Sequence, residues 1–190
     1  ATSAMARELA LHEFAHMARY EESHPSHHQS TAEALFLALA GRSVERRKLS
    51  HCYQIANHMK DIYADDITLD IGPTEKLVAF MESSLARALA DSPSSVPGGW
   101  QRRTDAADPE ITAVNAAFAL ALLERHDAIG DDHRLYDLAA AAGADAPDVS
   151  LSRFKNHFRS LGADPDESEY RKALVDVTRE YAIGRERAAD

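Results

Sequence analysis

Residues 9–36 read LALHEFAHMARYEESHPSHHQSTAEALF, and this stretch sets the expectation for the fold. Apolar residues recur at helical spacing through its first part. The run ESHPSH then breaks the pattern with a proline among small polar residues, and "AEALFLALA" follows, apolar on almost every side. The pattern predicts one helix from about Ser3 to Glu22 and a short, buried second helix from Ser30 or Thr31 to Gly41. Leu9, Leu11, Phe14 and Met17 are expected to bury the first of these, leaving its histidines facing a cleft.

The same period runs through most of the chain. Ser43 to about Tyr63 forms a third helix with Leu49, Cys52, Ile55, Met59 and Ile62 as its apolar stripe, and "ITLDI", Ile67 to Ile71, is the one strand candidate. A helix from "GPT" to about Ala90 comes next. "DSPSSVPGGWQRRTDAADP", Asp91 to Pro109, has the proline, glycine and serine content of a linker. Four helices follow: Pro109 to Ala128 capped by Asp108, Asp132 to Ala142, Ser150 to Leu161, and Asp166 to Ile183. The expected fold is mainly α, with a metal-binding helical domain over 1–91, a linker over 92–108 and a C-terminal helical bundle over 109–190.

The 190 residues suffice for one substantial core or two small ones. The longest uncharged apolar run, Ala34 to Gly41, is too short to span a bilayer. A secretory leader pattern and an initiator methionine are both missing at "ATSAMARELA", so a processed chain or a fragment is expected. A single cysteine, Cys52, forbids an internal disulfide and fits a reducing cytoplasm. The net charge of −10, concentrated in the second half, repels phosphate backbones and argues against nucleic acid as a partner; arginine in place of lysine and high acidity also suit a salty cytoplasm.

His12-Glu13-Phe14-Ala15-His16 is an H-E-x-x-H sequence. Residues four apart share a helix face, so His12 and His16 can both offer an imidazole nitrogen to one Zn²⁺, with the Glu13 carboxylate placed to act as general base on a zinc-bound water. A catalytic zinc needs a third protein ligand. Glu33, a carboxylate in an apolar helix, is the first choice, although "STAE", Ser30 to Glu33, is also a capping box in which Glu33 would only bond the helix start. His24, His27 and His28 are further candidates. Arg19 and Glu22 stand where a metzincin would have glycine and its third histidine, which excludes that type.

Residues 4–40 resemble the active-site segment of H-E-x-x-H zinc metallopeptidases of the gluzincin type, and are similar in particular to a haloarchaeal family of predicted metallopeptidases. That resemblance implies His12, His16 and Glu33 as ligands, Glu13 as base, and a peptide or protein as substrate. Such enzymes place a sheet before the motif helix to hold substrate extended, so a missing N-terminal segment or a protein partner is implied as well.

Two other features carry expectations. His51, Gln54, His58, Asp61 and Asp65 form a polar line on the third helix, which is either a solvated face or an outer shell: Asp61 or Asp65 fixing a ligand imidazole, His58 or His51 stabilising an oxyanion. Tyr63 can take the same electrophilic role. "LYDLAAAAGADAPDVSLSRFKNHFRSLG" has the look of a helix-turn-helix with Arg153, Lys155, His157 and Arg159 on its second helix, but its turn is long and its surroundings acidic. The leading function is therefore a zinc-dependent hydrolase, most simply a metallopeptidase. The alternative is a non-catalytic, metal-containing regulator or interaction module with a helix-turn-helix-like C-terminal part.

Overall fold

A computed structural model describes residues 3–91 and 108–184, and all regular structure among them is helical. The helices are α1 (Ser3–Glu21), α2 (Pro25–His28), α3 (Thr31–Leu39), α4 (Arg46–Ile71), α5 (Thr74–Ala90), α6 (Pro109–Arg125), α7 (Leu135–Asp145), α8 (Leu151–Arg159) and α9 (Glu167–Ala182). Most of the expected linker, 92–107, lies outside the described residues.

The strand expected over Ile67 to Ile71 is instead the last part of α4, which runs for 26 residues to Gly72 and Pro73. Branched side chains disfavour helix by only a few tenths of a kcal/mol each, about an order of magnitude less than the burial of Ile55, Met59, Ile62 and Tyr63 on the same helix contributes. Thr68 also accommodates helix locally, its hydroxyl donating to the Ala64 carbonyl at 3.2 Å.

The chain divides into two compact units, Ala1–Gly72 with Ser160–Asp190, and Pro73–Arg159. The expected division placed α5 with the N-terminal part and α9 with the C-terminal one. Packing puts α5 with α6 and α7, and α9 with α3 and α4.

In the first unit α4 is the central element, with α1 and α9 against it and α3 on α9. Arg179 of α9 donates to the carbonyls of Leu37 and Ala38, which the end of α3 leaves without helical partners. Arg19 of α1 donates to the Tyr63 carbonyl at 2.8 Å. The chain leaves α1 through Ser23, whose φ of 56° turns it sharply, and restarts at Pro25 with His24 as N-cap.

Helix α1 sits the other way round from its apolar pattern. Among its residues 7–21 Ala15 is the buried one and Leu11 is half-buried, while Leu9, Phe14 and Met17 are 61%, 63% and 61% exposed. The face turned to α4 carries His12, His16 and Arg19, so polar pairing rather than burial of large apolar side chains orients this helix.

Cys52 is fully buried in α4, and burial pushes its thiol up to about 12. A thiol-specific reagent at about pH 8 is therefore expected to leave the native protein unlabelled and to modify it only in strong denaturant. Rapid labelling of the native chain would contradict this packing.

The second unit is built on α6, buried along most of its length. Its start is set by Asp108, which accepts the Glu110 N–H at 3.0 Å, followed by Pro109 at the first helical position. Phe154 and Phe158 of α8 are buried, Phe158 edge-on to Phe118 of α6. Of the basic residues on this helix, Lys155 and Arg159 are bonded to Glu124 at 2.8 and 3.2 Å. Two cations of the suspected recognition helix are thus used within the unit.

Candidate metal centre

Three side chains of the first unit converge: His12 and His16 from α1 and Asp61 from α4. The His12 and His16 Nε2 atoms are 3.0 Å apart, and Asp61 Oδ1 lies 3.3 Å from His16 Nε2 and 3.8 Å from His12 Nε2. Ligands of a tetrahedral zinc, with bonds of 2.0–2.1 Å, stand about 3.3 Å from one another. Two imidazole nitrogens and a carboxylate oxygen at these separations are a donor set that a borderline divalent ion fits.

The helices dictate the convergence. The i, i+4 spacing stacks His12 and His16 on the α1 face turned to α4, and on α4 the three- and four-residue steps from His58 to Asp61 to Asp65 line up opposite them. Asp65 is 2% exposed and accepts from His12 Nδ1 at 2.7 Å. A carboxylate here accepts the Nδ1–H and leaves Nε2 turned toward Asp61 and His16, the arrangement by which an outer carboxylate orients a metal-ligating histidine. Asp61 Oδ2 lies 3.5 Å from His58 Nδ1.

Electrostatics follow from this crowding. The Asp65 hydrogen bond raises His12 above its ordinary value against the opposing effect of burial, and the charges of Asp61 and Glu13 act in the same direction. Burial works against ionised Asp61, but hydrogen bonds to His16 and His58 outweigh it and hold this carboxyl well below the usual range. Asp65 is pushed up, chiefly by burial. The group is therefore a place where a cation, proton or metal, is favoured.

His16 has a different outer partner, with its Nδ1 2.8 Å from His27 Nε2. Burial, aided by the nearness of His16, pushes His27 down to about 4, so it is neutral at ordinary pH. Beyond it, Ser26 Oγ lies 2.7 Å from both His27 Nδ1 and His24 Nδ1. His24 is buried against the ring of Tyr63, and burial lowers its pKa.

Glu33, expected as third ligand, is not part of this group. It is exposed at the start of α3, where its backbone N–H donates to Ser30 Oγ at 3.3 Å, the serine half of the cap that "STAE" offers, and the carboxylate beside the two histidines is that of Asp61. Glu13 is exposed beside His12. His28 is also exposed and stacks on Tyr20. His58 reaches the centre only through Asp61, His51 is buried in a hydrogen bond with Tyr181, and Tyr63 is packed between His24 and Tyr170. The polar line on α4 is thus divided, its C-terminal half facing the histidines of α1.

Sequence reasoning left Asp61 and Asp65 either on a solvated face or in an outer shell, without separating their roles. The available signal was the His58-x-x-Asp61-x-x-x-Asp65 spacing. A family model described as a family of unknown function, DUF5781, matches residues 1–183. The chain belongs to that family. No curated protein and no solved structure matches this DUF5781 chain.

Proposed function

We propose that this DUF5781 chain is a metal-dependent hydrolase, with zinc as the metal and peptide bonds as the substrate class. The observation that carries the reading is the approach of His12 Nε2, His16 Nε2 and Asp61 Oδ1 to within 3.0–3.8 Å of one another, with Glu13 next in sequence to the first of them. A zinc ion held by these three would supply Lewis acidity, polarising a carbonyl and acidifying a water. Asp65 fixes His12, and Asp61 keeps its charge through His16 and His58.

Glu13 is the proton carrier. Successive helical residues are about 100° apart, so Glu13 is set between the histidine face and the outward face of α1. Its charge is felt at His12. Leu9, Phe14, Met17 and Tyr20 are exposed on the same helix, and they offer apolar contact to the side chains of an extended or loosely folded substrate. The H-E-x-x-H sequence supports a peptide substrate over other acyl compounds. The acidic, arginine-rich composition and the single buried cysteine support a salt-rich, reducing cytoplasm as its setting.

The test is turnover by the full chain loaded with one equivalent of zinc. Cleavage of an unstructured protein substrate is expected, lost on chelation and restored by zinc. A chain that retains zinc one-to-one but cleaves neither peptides nor activated esters would instead be the metal-containing interaction module.

A further inference from the structure

The side of α1 turned away from α4 carries a second periodicity. Arg7, Ala10, Phe14, Met17 and Glu21 follow one another in steps of three, four, three and four residues, the spacing of a helix–helix seam, and all five are exposed. Successive helical residues turn by about 100°, which sets Phe14 and Met17 opposite His12 and leaves Leu9, Glu13 and Tyr20 on the strip between this line and His16. Among the described residues α1 packs chiefly on α4 and α2, and the line itself faces outward.

The charges along the line say what fits on it. It begins with a cation, Arg7, ends with an anion, Glu21, and has Phe14 at its midpoint. A second copy laid antiparallel about Phe14 therefore puts Arg7 of each chain beside Glu21 of the other, a contact that the two-fold axis repeats. The two Phe14 rings meet on that axis, and Met17 of each copy meets the Ala10–Leu11 turn of the other, where the small alanine lets the helices approach. A parallel pairing fails, because Arg7 would face Arg7 and Glu21 would face Glu21. The two Glu13 carboxylates lie along one edge of the antiparallel seam, where they keep their water and repel only weakly.

We propose that the outward face of α1 is a self-association surface, on which a second copy of this chain seats its own α1 antiparallel with Phe14 at the axis. The seam from Arg7 to Glu21 is about 21 Å long, less than a standard interface of roughly 800 Å² per partner needs, so the dimer forms reversibly with a Kd on the order of micromolar. The inference goes beyond the hydrolase reading and does not rest on it. Leu9, Glu13 and Tyr20 stay open beside the histidines, whereas Phe14 and Met17 are covered, so a second copy and an extended substrate compete for those two side chains.

Sedimentation velocity on the full chain with chelator present, from about 1 µM to about 1 mM, tests this without zinc or substrate. A reversible monomer–dimer equilibrium is expected, and a chain that stays monomeric throughout overturns the proposal. Phe14→Asp should weaken the dimer about 100-fold or more, the effect of burying a charge at the centre of an interface. Phe14 is exposed, so the variant should keep its helix content, which circular dichroism checks. A Phe14→Asp chain that still dimerises uses another surface and overturns the proposal. Arg7→Glu alone and Glu21→Arg alone each turn both ion pairs into repulsions and should weaken the dimer about 10-fold. The double variant, with both charges exchanged, should restore the Kd of the unaltered chain. Failure of the double variant to recover would remove the antiparallel pairing about Phe14.

Discussion

Asp61→Ala is expected to cost the protein its zinc, while Glu33→Gln leaves zinc in place. Asp61 Oδ1 is the only carboxylate oxygen grouped with both histidine Nε2 atoms at the candidate centre among the described residues. Removing it leaves two neutral donors, too few for a tight site. The loss should exceed the roughly 10–100-fold typical of outer-shell changes. Asp61→Asn keeps the shape and removes the charge, and should fall between the two. Glu33, exposed and engaged through its backbone at the Ser30 cap, has no such role, and its replacement should alter helix stability by about 1 kcal/mol at most. Direct titration of the metal-free variants with zinc decides the matter. Retained zinc in Asp61→Ala with loss in Glu33→Gln would return the third-ligand role to Glu33.

These two carboxylates show where the sequence was readable. Glu33 carried strong local signals, three residues after a cap serine and inside an apolar run, and both are explained by the start of α3. Asp61 is 45 positions from His16 and had only a period to mark it. Which face of α4 meets α1 is decided by packing across the unit, and no local pattern encodes it. The helical class was legible because apolar residues recur at 3.6 throughout α4, α5 and α9. The end of α4 was not, because the propensity of Ile67, Thr68 and Ile71 is weaker than the tertiary burial upstream of them.

The orientation of α1 is the more instructive miss. Reading Leu9, Phe14 and Met17 as core assumes that an amphipathic helix buries its apolar side. Here the His12 bond to Asp65 and the Arg19 bond to the Tyr63 carbonyl fix the opposite side against α4. Local consistency is commonly broken at functional sites, and a helix that turns histidines inward and leaves large apolar side chains outside breaks it twice. Both departures are explained together if the inner face holds a metal and the outer residues beside Glu13 meet a substrate.

Glu13→Gln is expected to abolish most hydrolysis while zinc binding persists. The substitution leaves His12, His16 and Asp61 untouched, and Glu13 is exposed, so the fold should be unaffected. On the proposed mechanism, what disappears is a base. Attack on a peptide carbonyl requires a water to lose a proton, and expulsion of the amine requires that a proton be returned; one carboxylate that first accepts and then donates meets both needs. Glutamine preserves the size and polarity of the side chain but cannot accept the proton. Loss of such help typically costs about 10²–10⁴-fold, so kcat should fall by that factor with KM little changed. Full turnover in a zinc-loaded Glu13→Gln chain would remove Glu13 from the chemistry. His58→Gln is a useful contrast because His58 reaches the centre only through the far oxygen of Asp61. If His58 merely steadies Asp61, its replacement should weaken zinc and leave the turnover of the zinc-loaded fraction close to that of the unaltered chain. A kcat loss at full zinc occupancy would instead give His58 the oxyanion-stabilising part that its place on the polar line of α4 first suggested.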